Sequence, residues 1–297
     1  MEVIARKTVV ITGTSSGIGR ATVSRMVQAG WHVFATVRKS EEAERLRSEI
    51  GPEVTPLVMD VTDRASINAA AAEAADRLQI RGLTGLVNVA GIGMVRPVEY
   101  VTDNDLREIF EINVFGQIAV TQAFLPLLRK APGRIVNISS IGAHLAIPFG
   151  GLLNASKSAF GLFSDTLRLE LRPFGIRVSA VEPGAIRTPA VDKTLGHMDE
   201  VVQQLPAMGV SQYGKMLKGF ARRAYSREMN GSSPDVVANA VVHALTSSHP
   251  HTRYVVGKHA SLLAAMSKIL PEWLLDAVLL RIAGLPTKLG ALATAGR

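Results

Sequence analysis

The chain of 297 residues contains no cysteine. This excludes a disulfide scaffold, a thiol nucleophile and a cysteine-ligated zinc or iron–sulfur site, and it fits a reducing compartment. Only 5% of the residues are aromatic and 20% are charged, whereas 47% are hydrophobic, a composition that excludes intrinsic disorder. We therefore expect a globular protein with a large core and no metal site.

Two kinds of targeting segment are also missing from the pattern. Residues 1–10 lack the regions of a signal peptide, and no run of about 18 uncharged apolar residues predicts a transmembrane helix. We expect a cytoplasmic location. No zinc-finger, RRM or KH signature accompanies the net charge of +8, so we expect no nucleic-acid partner.

The positive charge is concentrated in the last third of the chain. Residues 201–297 hold 11 Lys/Arg and 4 Asp/Glu, a net charge of +7. A solvated surface explains this bias, and an anionic membrane surface is the alternative. Apolar residues at helical spacing follow Gly257, and Pro271 interrupts them. We predict two short amphipathic helices over 260–283, with Trp273 on their apolar side and peripheral membrane association as a hypothesis.

Strand-like and helix-like patterns alternate along the first 185 residues. This pattern predicts an α/β fold with a single Rossmann-type doubly wound domain, in which a mostly parallel seven-stranded sheet has helices on both faces. The predicted strands are Thr8–Thr12, Trp31–Val37, Val54–Met59, Leu83–Val89, Arg134–Ile138, Ile176–Val181 and Arg253–Val256. We expect the domain to span 1–257, with a substrate-loop insertion at 189–232 and an amphipathic extension at 258–297.

A glycine-rich turn ends the first predicted strand and opens a helix. It reads Thr12-Gly13-Thr14-Ser15-Ser16-Gly17-Ile18-Gly19. Glycines allow a tight turn and a close approach to a pyrophosphate, while the helix N-terminus offers free N–H groups. At the first strand–helix junction of an alternating chain, this turn indicates dinucleotide binding.

Further motifs follow in a fixed order. They are Asp60-Val61 after the third strand, Asn88-Val89-Ala90-Gly91 after the fourth, Ile112-Asn113-Val114, Ile138-Ser139-Ser140, Ala155-Ser156-Lys157, and 181–188, which reads Val-Glu-Pro-Gly-Ala-Ile-Arg-Thr. Over residues 5–257 the chain resembles the short-chain dehydrogenase/reductase family. The resemblance implies a nicotinamide cofactor bound by Gly13, Ser15, Gly17, Ile18, Gly19, Arg38, Asp60, Val61, Asn88, Ala90, Gly91, Lys157, Pro183, Gly184, Ile186 and Thr188.

The choice of cofactor follows from charge at the end of the second strand. An acidic residue there binds the ribose 2′-hydroxyl of NAD and repels a 2′-phosphate. In this chain the position holds Val37, and Arg38 and Lys39 follow. A guanidinium grips a phosphate through a fork of N–H groups, so we predict NADP(H). The alternative is that both cations only begin a helix at the surface.

The reaction centre departs from the family pattern. The resemblance implies catalysis by Asn113, Ser140 and Lys157 together with a tyrosine four residues before the lysine. That position holds Leu153, and 149–156 contain no tyrosine. Leucine has no proton to donate, and a positioned general acid is worth about 10²- to 10⁴-fold in rate. His144, Tyr100, Tyr213, Tyr225 and Lys157 acting through water are the candidate substitutes.

Three explanations of Leu153 stand side by side. It is an engineered change in a working enzyme, or it is natural in an enzyme whose substrate needs no strong acid, such as an iminium. The third explanation is a non-catalytic protein that binds NADP(H). Retention of Asn113, Ser140 and Lys157 favours the first two.

The expected substrate is a hydrophobic alcohol or carbonyl compound. The loop at 143–149 is mostly apolar, and we expect His144 and Phe149 to face the substrate. Together with the apolar tail, this loop resembles the steroid and retinol dehydrogenase branch of the family. The resemblance also implies a homodimer or homotetramer that pairs through the helices predicted over 104–129 and 151–171.

Overall fold

The computed structural model describes residues 6–131 and 133–288. Seven strands lie in one sheet: β1 (Thr8–Ile11), β2 (His32–Val37), β3 (Val54–Val58), β4 (Gly85–Asn88), β5 (Arg134–Ile138), β6 (Arg177–Pro183) and β7 (Arg253–Val256). Their order is β3-β2-β1-β4-β5-β6-β7, and every pairing is parallel. The predicted seven-stranded, doubly wound sheet is confirmed.

Twelve α-helices occur in the described residues: α1 (Gly17–Gln28), α2 (Ser40–Ile50), α3 (Arg64–Leu78), α4 (Asp103–Phe110), α5 (Gly116–Arg129), α6 (Gly151–Leu171), α7 (Pro189–Leu195), α8 (Met198–Gln203), α9 (Ala207–Met229), α10 (Pro234–Thr246), α11 (Ala260–Ile269) and α12 (Glu272–Ala283). Successive residues of a strand point to opposite faces of the sheet, so the apolar strands contribute side chains to two hydrophobic cores. Val9 and Ile11 pack with residues of α1 and α10, whereas Val10 packs with residues of α3, α5 and α6.

Strand order reverses between β1 and β4. The chain proceeds outward from β1 to β3 on one side, and then from β4 to β7 on the other. The chain leaves β1 and β4 toward opposite sides of the sheet, so a crevice forms outside their carboxyl ends, which is where ligands bind in open parallel sheets. The glycine turn and the Asn88–Gly91 segment both lie at this position.

The helix predicted over 104–129 is interrupted. A π-helical turn, Glu111–Phe115, lies between α4 and α5. The amide of Asn113 bonds to both backbone groups of Ile92, which gives the side chain partners inside the protein. Such π turns often mark functional sites, and this one contains a predicted catalytic residue.

Residues 189–229 form a helical layer, and a third core lies beneath it. Val95 packs there with residues of α8 and α9 such as Val202, Leu217 and Phe220. The two helices predicted for 260–283 are present as α11 and α12, separated at Pro271. Leu279 of α12 is buried against Ile141 and Leu145. The tail therefore packs on the loop that follows β5.

Candidate active site

The turn after β1 has a shape that only glycine permits. Gly13 has a φ of +65°, and a Cβ atom there would lie 2.9 Å from the Cα atom of Ala90. A Cβ atom at Gly19 would lie 2.1 Å from the carbonyl oxygen of Gly13. Added side chains would therefore displace backbone. The turn and the loop after β4 approach each other as closely as two main chains can.

The N-terminus of α1 is open to an anion. Its N-cap residue, Ser16, makes no side-chain capping bond, and no acidic residue lies in the first turn. Its N–H groups and its positive dipole end are thus left for a ligand. Thr188 closes the opposite side, 3.3 Å from a Cβ atom built at Gly17. Gly13, Gly17, Gly19 and Thr188 fit the pyrophosphate of a dinucleotide.

The end of β2 borders the same turn. The hydroxyl of Thr14 donates to the carbonyl oxygen of Thr36 over 2.9 Å, which ties the turn to β2. Arg38 is exposed two residues later and has no ion pair within 6–131 and 133–288. Hydrogen bonds from the backbone and hydroxyl of Thr62 hold the pKa of Asp60 below its ordinary value, and the charge of Arg38 contributes in the same direction.

Four of the predicted cofactor residues differ in how much surface they leave for a ligand. Ser15 and Ile18 are half-buried in the glycine turn, and Val61 is buried after β3. Asn88 is 1% exposed, and its amide donates to Thr121 and Asn137 inside the protein. The side chain of Asn88 therefore fixes the end of β4 from within rather than pointing into the crevice.

Asn113, Gly91 and Lys157 meet at one point. A Cβ atom at Gly91 would lie 3.1 Å from Oδ1 of Asn113 and 3.4 Å from Nζ of Lys157. The amide of Asn113 also donates to the hydroxyl of Ser156 over 3.0 Å. The loop after β4, the π turn and α6 thus converge, and they place a buried amine beside the crevice.

Lys157 is a buried cation without a carboxylate partner in the described part of the chain. It is 9% exposed, and its Nζ donates to the carbonyl oxygen of Ile138 over 3.0 Å. Burial lowers the pKa of Lys157 to about 8. Near neutral pH this amine is a weak acid that can both donate hydrogen bonds and release a proton.

Ser140 and Leu153 lie on the two segments that frame the lysine. Oγ of Ser140 accepts a bond from the backbone N–H of Gly142 over 3.0 Å, which orients the serine at the end of β5. Leu153 is half-buried, one turn before Lys157 on α6. Its carbonyl oxygen accepts from the hydroxyl of Ser156, but its side chain supplies no proton.

His144 bonds to a residue outside the predicted catalytic set. Its Nε2 lies 2.9 Å from Oε1 of Glu182, a carboxylate that is 1% exposed and that also pairs with Arg253. Arg253 in turn bonds to Asp165 of α6. The structure thus joins His144 to an ionic network between α6, β6 and β7, and this bonding explains how its ring is held.

The three tyrosines considered as substitute acids are hydrogen-bonded to other residues. The hydroxyl of Tyr100 donates to Gln212, that of Tyr213 to Glu99, and that of Tyr225 to Asp192, each over 2.7–2.8 Å. These bonds fasten α9 to α7 and to the segment before α4. None of the three hydroxyls is bonded to Ser140 or Lys157.

Phe149 contacts the helical layer directly. Its ring centroid lies 5.4 Å from that of Phe220 and 6.3 Å from that of Tyr213, both on α9. Its backbone has a φ of +61°, a region that bulky residues rarely adopt. The loop at 143–149 and α9 therefore form one apolar wall next to the crevice.

The segment after β6 brings in a residue that the sequence did not reveal. The N–H of Ile186 donates to Oε2 of Glu228 over 3.3 Å, and burial raises the pKa of Glu228. Pro183 ends β6, and a Cβ atom at Gly184 would lie 2.6 Å from the carbonyl oxygen of Lys258. Glu228 lies 42 residues from Ile186, so local spacing carried no signal for it.

Thr12 is a second residue outside the predicted set. Its hydroxyl oxygen accepts from the N–H groups of Val89 and Ala90, both over 2.9 Å. It thus joins the two loops of the crevice. Its place directly before Gly13 was a usable signal, because a hydroxyl at the end of a central strand can bond to the neighbouring loop.

Comparison with known proteins agrees with this geometry. The profile of the short chain dehydrogenase family matches residues 7–199. Human retinol dehydrogenase 5 is 38% identical over 279 residues, which cover 91% of this chain and 87% of the relative.

Two solved structures share the fold and hold different nicotinamide cofactors. A short chain dehydrogenase from Burkholderia cenocepacia in complex with NADP has a TM-score of 0.70 at 27% identity and covers 94% of this chain and 99% of its own. The 3-ketoacyl-(acyl-carrier-protein) reductase from Brucella melitensis, complexed with NADH, has a TM-score of 0.66 at 26% identity, with 81% and 91% covered. The chain belongs to the short chain dehydrogenase family of oxidoreductases, and its glycine turn fits a nicotinamide cofactor.

Proposed function

We propose that the protein is an NADP(H)-dependent oxidoreductase that acts on a hydrophobic alcohol or carbonyl compound. The observation that carries this proposal is the convergence of Asn113, Gly91 and Lys157 at the crevice. A bound nicotinamide supplies or accepts the hydride. The chain's own residues then orient the substrate oxygen and manage its proton.

Arg38 supports NADP(H) as the cofactor. Its guanidinium is exposed beside the glycine turn, lacks an ion pair among the described residues and lies near enough to Asp60 to lower the pKa of that carboxyl. The residue before it, Val37, is buried and apolar, so no carboxylate there repels a 2′-phosphate. A forked donor without a carboxylate partner favours a phosphate.

Two observations support a hydrophobic substrate. Phe149, Tyr213 and Phe220 form an aromatic wall, and Ile141 and Leu145 continue it toward α12. Retinol dehydrogenase 5, the relative described above, is named for an alcohol with a long apolar chain. Apolar walls of this kind favour a ligand that buries its carbon skeleton and exposes one oxygen to Ser140 and Lys157.

The proposed site lacks the tyrosine that would donate a proton to the substrate oxygen. Leu153 offers none, and the nearby tyrosine hydroxyls are bonded to acceptors in the helical layer. We propose that Leu153 stands where the family's tyrosine acts and that it limits the rate. The ammonium of Lys157 then remains the acid of the site, acting through water.

The test is restoration of the hydroxyl. Leu153→Tyr is expected to raise NADPH-dependent reduction of apolar aldehydes and ketones about 10²- to 10⁴-fold, measured by NADPH absorbance. Leu153→Phe is the matched control, because it adds the ring without the hydroxyl, and it is expected to give no gain. The proposal is contradicted if neither variant turns over any carbonyl compound while NADPH still binds. Imine reduction by the unaltered chain would instead support a natural enzyme without the tyrosine.

We also propose two contacts of the whole protein. Exposed apolar side chains on α6, Leu162 and Leu169, favour pairing of two copies through this helix. The outer side of the tail carries Leu262, Ile269 and Trp273, which are 61%, 77% and 72% exposed and favour peripheral membrane contact. No helix in the described ranges is long and apolar enough to cross a membrane.

A further inference from the structure

A basic cleft lies on the outer side of α9. Arg222, Arg223, Ser226, Arg227 and Asn230 line it, and Lys258 and His259 close it from the turn after β7. Its volume is about 490 Å³. Arg222 and Ser226 lie on the face of α9 opposite Leu217, Phe220 and Ala224, which are buried, and Arg223 and Arg227 flank that face. The cleft is thus separate from the apolar wall of the site.

The cations of this cleft are poorly neutralised. Among the described residues, only Arg227 has a carboxylate nearby, at 3.6 Å from Glu228. Arg223 donates to the carbonyl oxygen of Gly284, and Lys258 donates to that of Asn230. Arg222 is exposed and makes no ion pair within 6–131 and 133–288. Four like charges around one cavity repel each other unless an anion joins them.

The N-terminus of α11 adds to the positive electrostatic potential of the cleft. α11 has ten residues and begins directly after His259, a lining residue with a φ of +62°. No side chain caps this helix, and no acidic residue lies in its first turn. The positive end of its dipole therefore faces the cleft together with the fixed cations.

We propose that this cleft is a second anion site, which binds a phosphate group. Guanidinium forks match the tetrahedral oxygens of phosphate better than they match a halide. The site is distinct from the phosphate site proposed at Arg38. Five strand spacings separate β2 from β7, a distance of about 24 Å at ~4.8 Å per strand. The phosphate is carried by a soluble phosphomonoester or by the headgroup of an anionic lipid.

The first arm of the test uses inorganic phosphate on the full chain. Titration calorimetry compares the unaltered protein with the double variant Arg222→Gln/Lys258→Gln at constant ionic strength. We expect the double variant to bind phosphate about tenfold more weakly. Lys215→Gln, an exposed lysine on α9 outside the cleft, is the matched control and is expected to bind normally.

The variant Arg38→Gln distinguishes phosphate binding in the cleft from phosphate binding at the cofactor crevice. If this variant abolishes phosphate binding while Arg222→Gln/Lys258→Gln leaves it unchanged, the cleft proposal is overturned. Equal affinities in all four proteins overturn it as well. Circular dichroism on each variant checks that the fold is retained. We expect no change, because Arg222 and Lys258 are both exposed.

The second arm distinguishes the two sources of phosphate. The protein is sedimented with phosphatidylcholine vesicles that contain or lack phosphatidic acid. Sedimentation that requires phosphatidic acid and is lost in Arg222→Gln/Lys258→Gln identifies a lipid headgroup. Phosphate binding in the first arm without sedimentation identifies a soluble phosphomonoester. Failure in both arms overturns the second site without touching the proposed oxidoreductase activity.

Discussion

Arg38 and Val37 occupy adjacent positions at the end of β2, with one side chain exposed and the other buried. Val37 is enclosed in the core, so of these two side chains only that of Arg38 is accessible to a ligand. We propose that the guanidinium of Arg38 decides between NADP and NAD, and reversing its charge tests this.

Arg38→Asp is expected to weaken NADPH binding about 10- to 100-fold and NADH binding little, since a charged hydrogen bond to phosphate is worth about 1.5–3 kcal/mol. Fluorescence titration with each cofactor gives the two affinities. Arg45→Asp, an exposed change on α2, is the control for net charge. Equal losses for NADPH and NADH would mean that Arg38 does not read the phosphate.

Lys157 is stabilised by its hydrogen bond but destabilised by its burial. Burial lowers its pKa from 10.5 to about 8, so the folded protein holds the charged form less well than the unfolded chain does. Between these two pH values the unfolded chain binds more protons, and stability rises as pH rises. Below pH 8 both states are protonated, and the cost of the buried charge is present in full.

Lys157→Met removes this charge at similar volume. The lowering by about 2.5 pKa units corresponds to about 3 kcal/mol, and loss of the bond to Ile138 returns about 1 kcal/mol. In urea unfolding we expect the variant to be about 2 kcal/mol more stable at pH 7. The charge cost disappears as the pH rises, whereas the lost hydrogen bond still costs about 1 kcal/mol, so the gain should reverse near pH 10.

The same substitution should weaken cofactor binding although it raises the stability of the fold. Lys157→Met is expected to raise the dissociation constant of NADPH at pH 7, because we propose that the ammonium donates hydrogen bonds to the nicotinamide ribose. Lys215→Met, an exposed substitution, controls for loss of a positive charge. Unchanged NADPH affinity would show that Lys157 is not part of the cofactor site.

At the scale of elements, α9 is fastened to the segment before α4 by polar bonds as well as by its core. Tyr213 bonds to Glu99, and this carboxylate raises the pKa of the tyrosine. Tyr100 bonds to Gln212 and lies edge-on to Tyr213, with centroids 5.8 Å apart. These contacts hold the aromatic wall of the proposed substrate site in position.

Tyr213→Phe keeps the ring and removes the hydroxyl. We expect a loss of about 1 kcal/mol in stability, faster hydrogen exchange in the first half of α9, and a higher KM for apolar substrates. Tyr254→Phe is the matched control. It also removes a bonded hydroxyl, but its partners His243 and His251 lie away from α9. If both variants change KM alike, the bond from Tyr213 does not position the wall.

At the scale of the whole molecule, α6 serves two surfaces. One side carries Lys157 and buried residues such as Phe160 and Leu167, and the other exposes Leu162 and Leu169 at 71% and 60%. Because α6 also carries Lys157, a second copy packed on Leu162 and Leu169 would hold this helix, and with it the proposed site, in place.

Leu162→Glu is expected to convert the proposed dimer to a monomer, since it places a carboxylate in an apolar interface. Sedimentation velocity measures the change. Ile80→Glu, at a position that is 89% exposed after α3, is the control and should leave the assembly intact. A monomeric unaltered protein would contradict the proposal directly.

The sequence by itself determined the parallel sheet and the glycine turn after β1, because both depend on local patterns. Continuous apolar strands such as Val9–Ile11 specify a parallel sheet with two covered faces, and Gly13 and Gly19 stand where a side chain would displace backbone. The motifs are similarly local, so Asn113, Ser140 and Lys157 could be selected as candidate catalytic residues from their resemblance to the family pattern.

Only the tertiary structure decided contacts between distant segments. It joined His144 to Glu182, brought Glu228 to Ile186 and enclosed Asn88 in the core. It also bonded the hydroxyls of Tyr100, Tyr213 and Tyr225 to acceptors elsewhere in the chain. It also gathered the cations of α9 with Lys258 and His259 around one cleft. These pairings depend on how helices pack against the sheet, and neither spacing nor composition encodes the direction in which a side chain finally points.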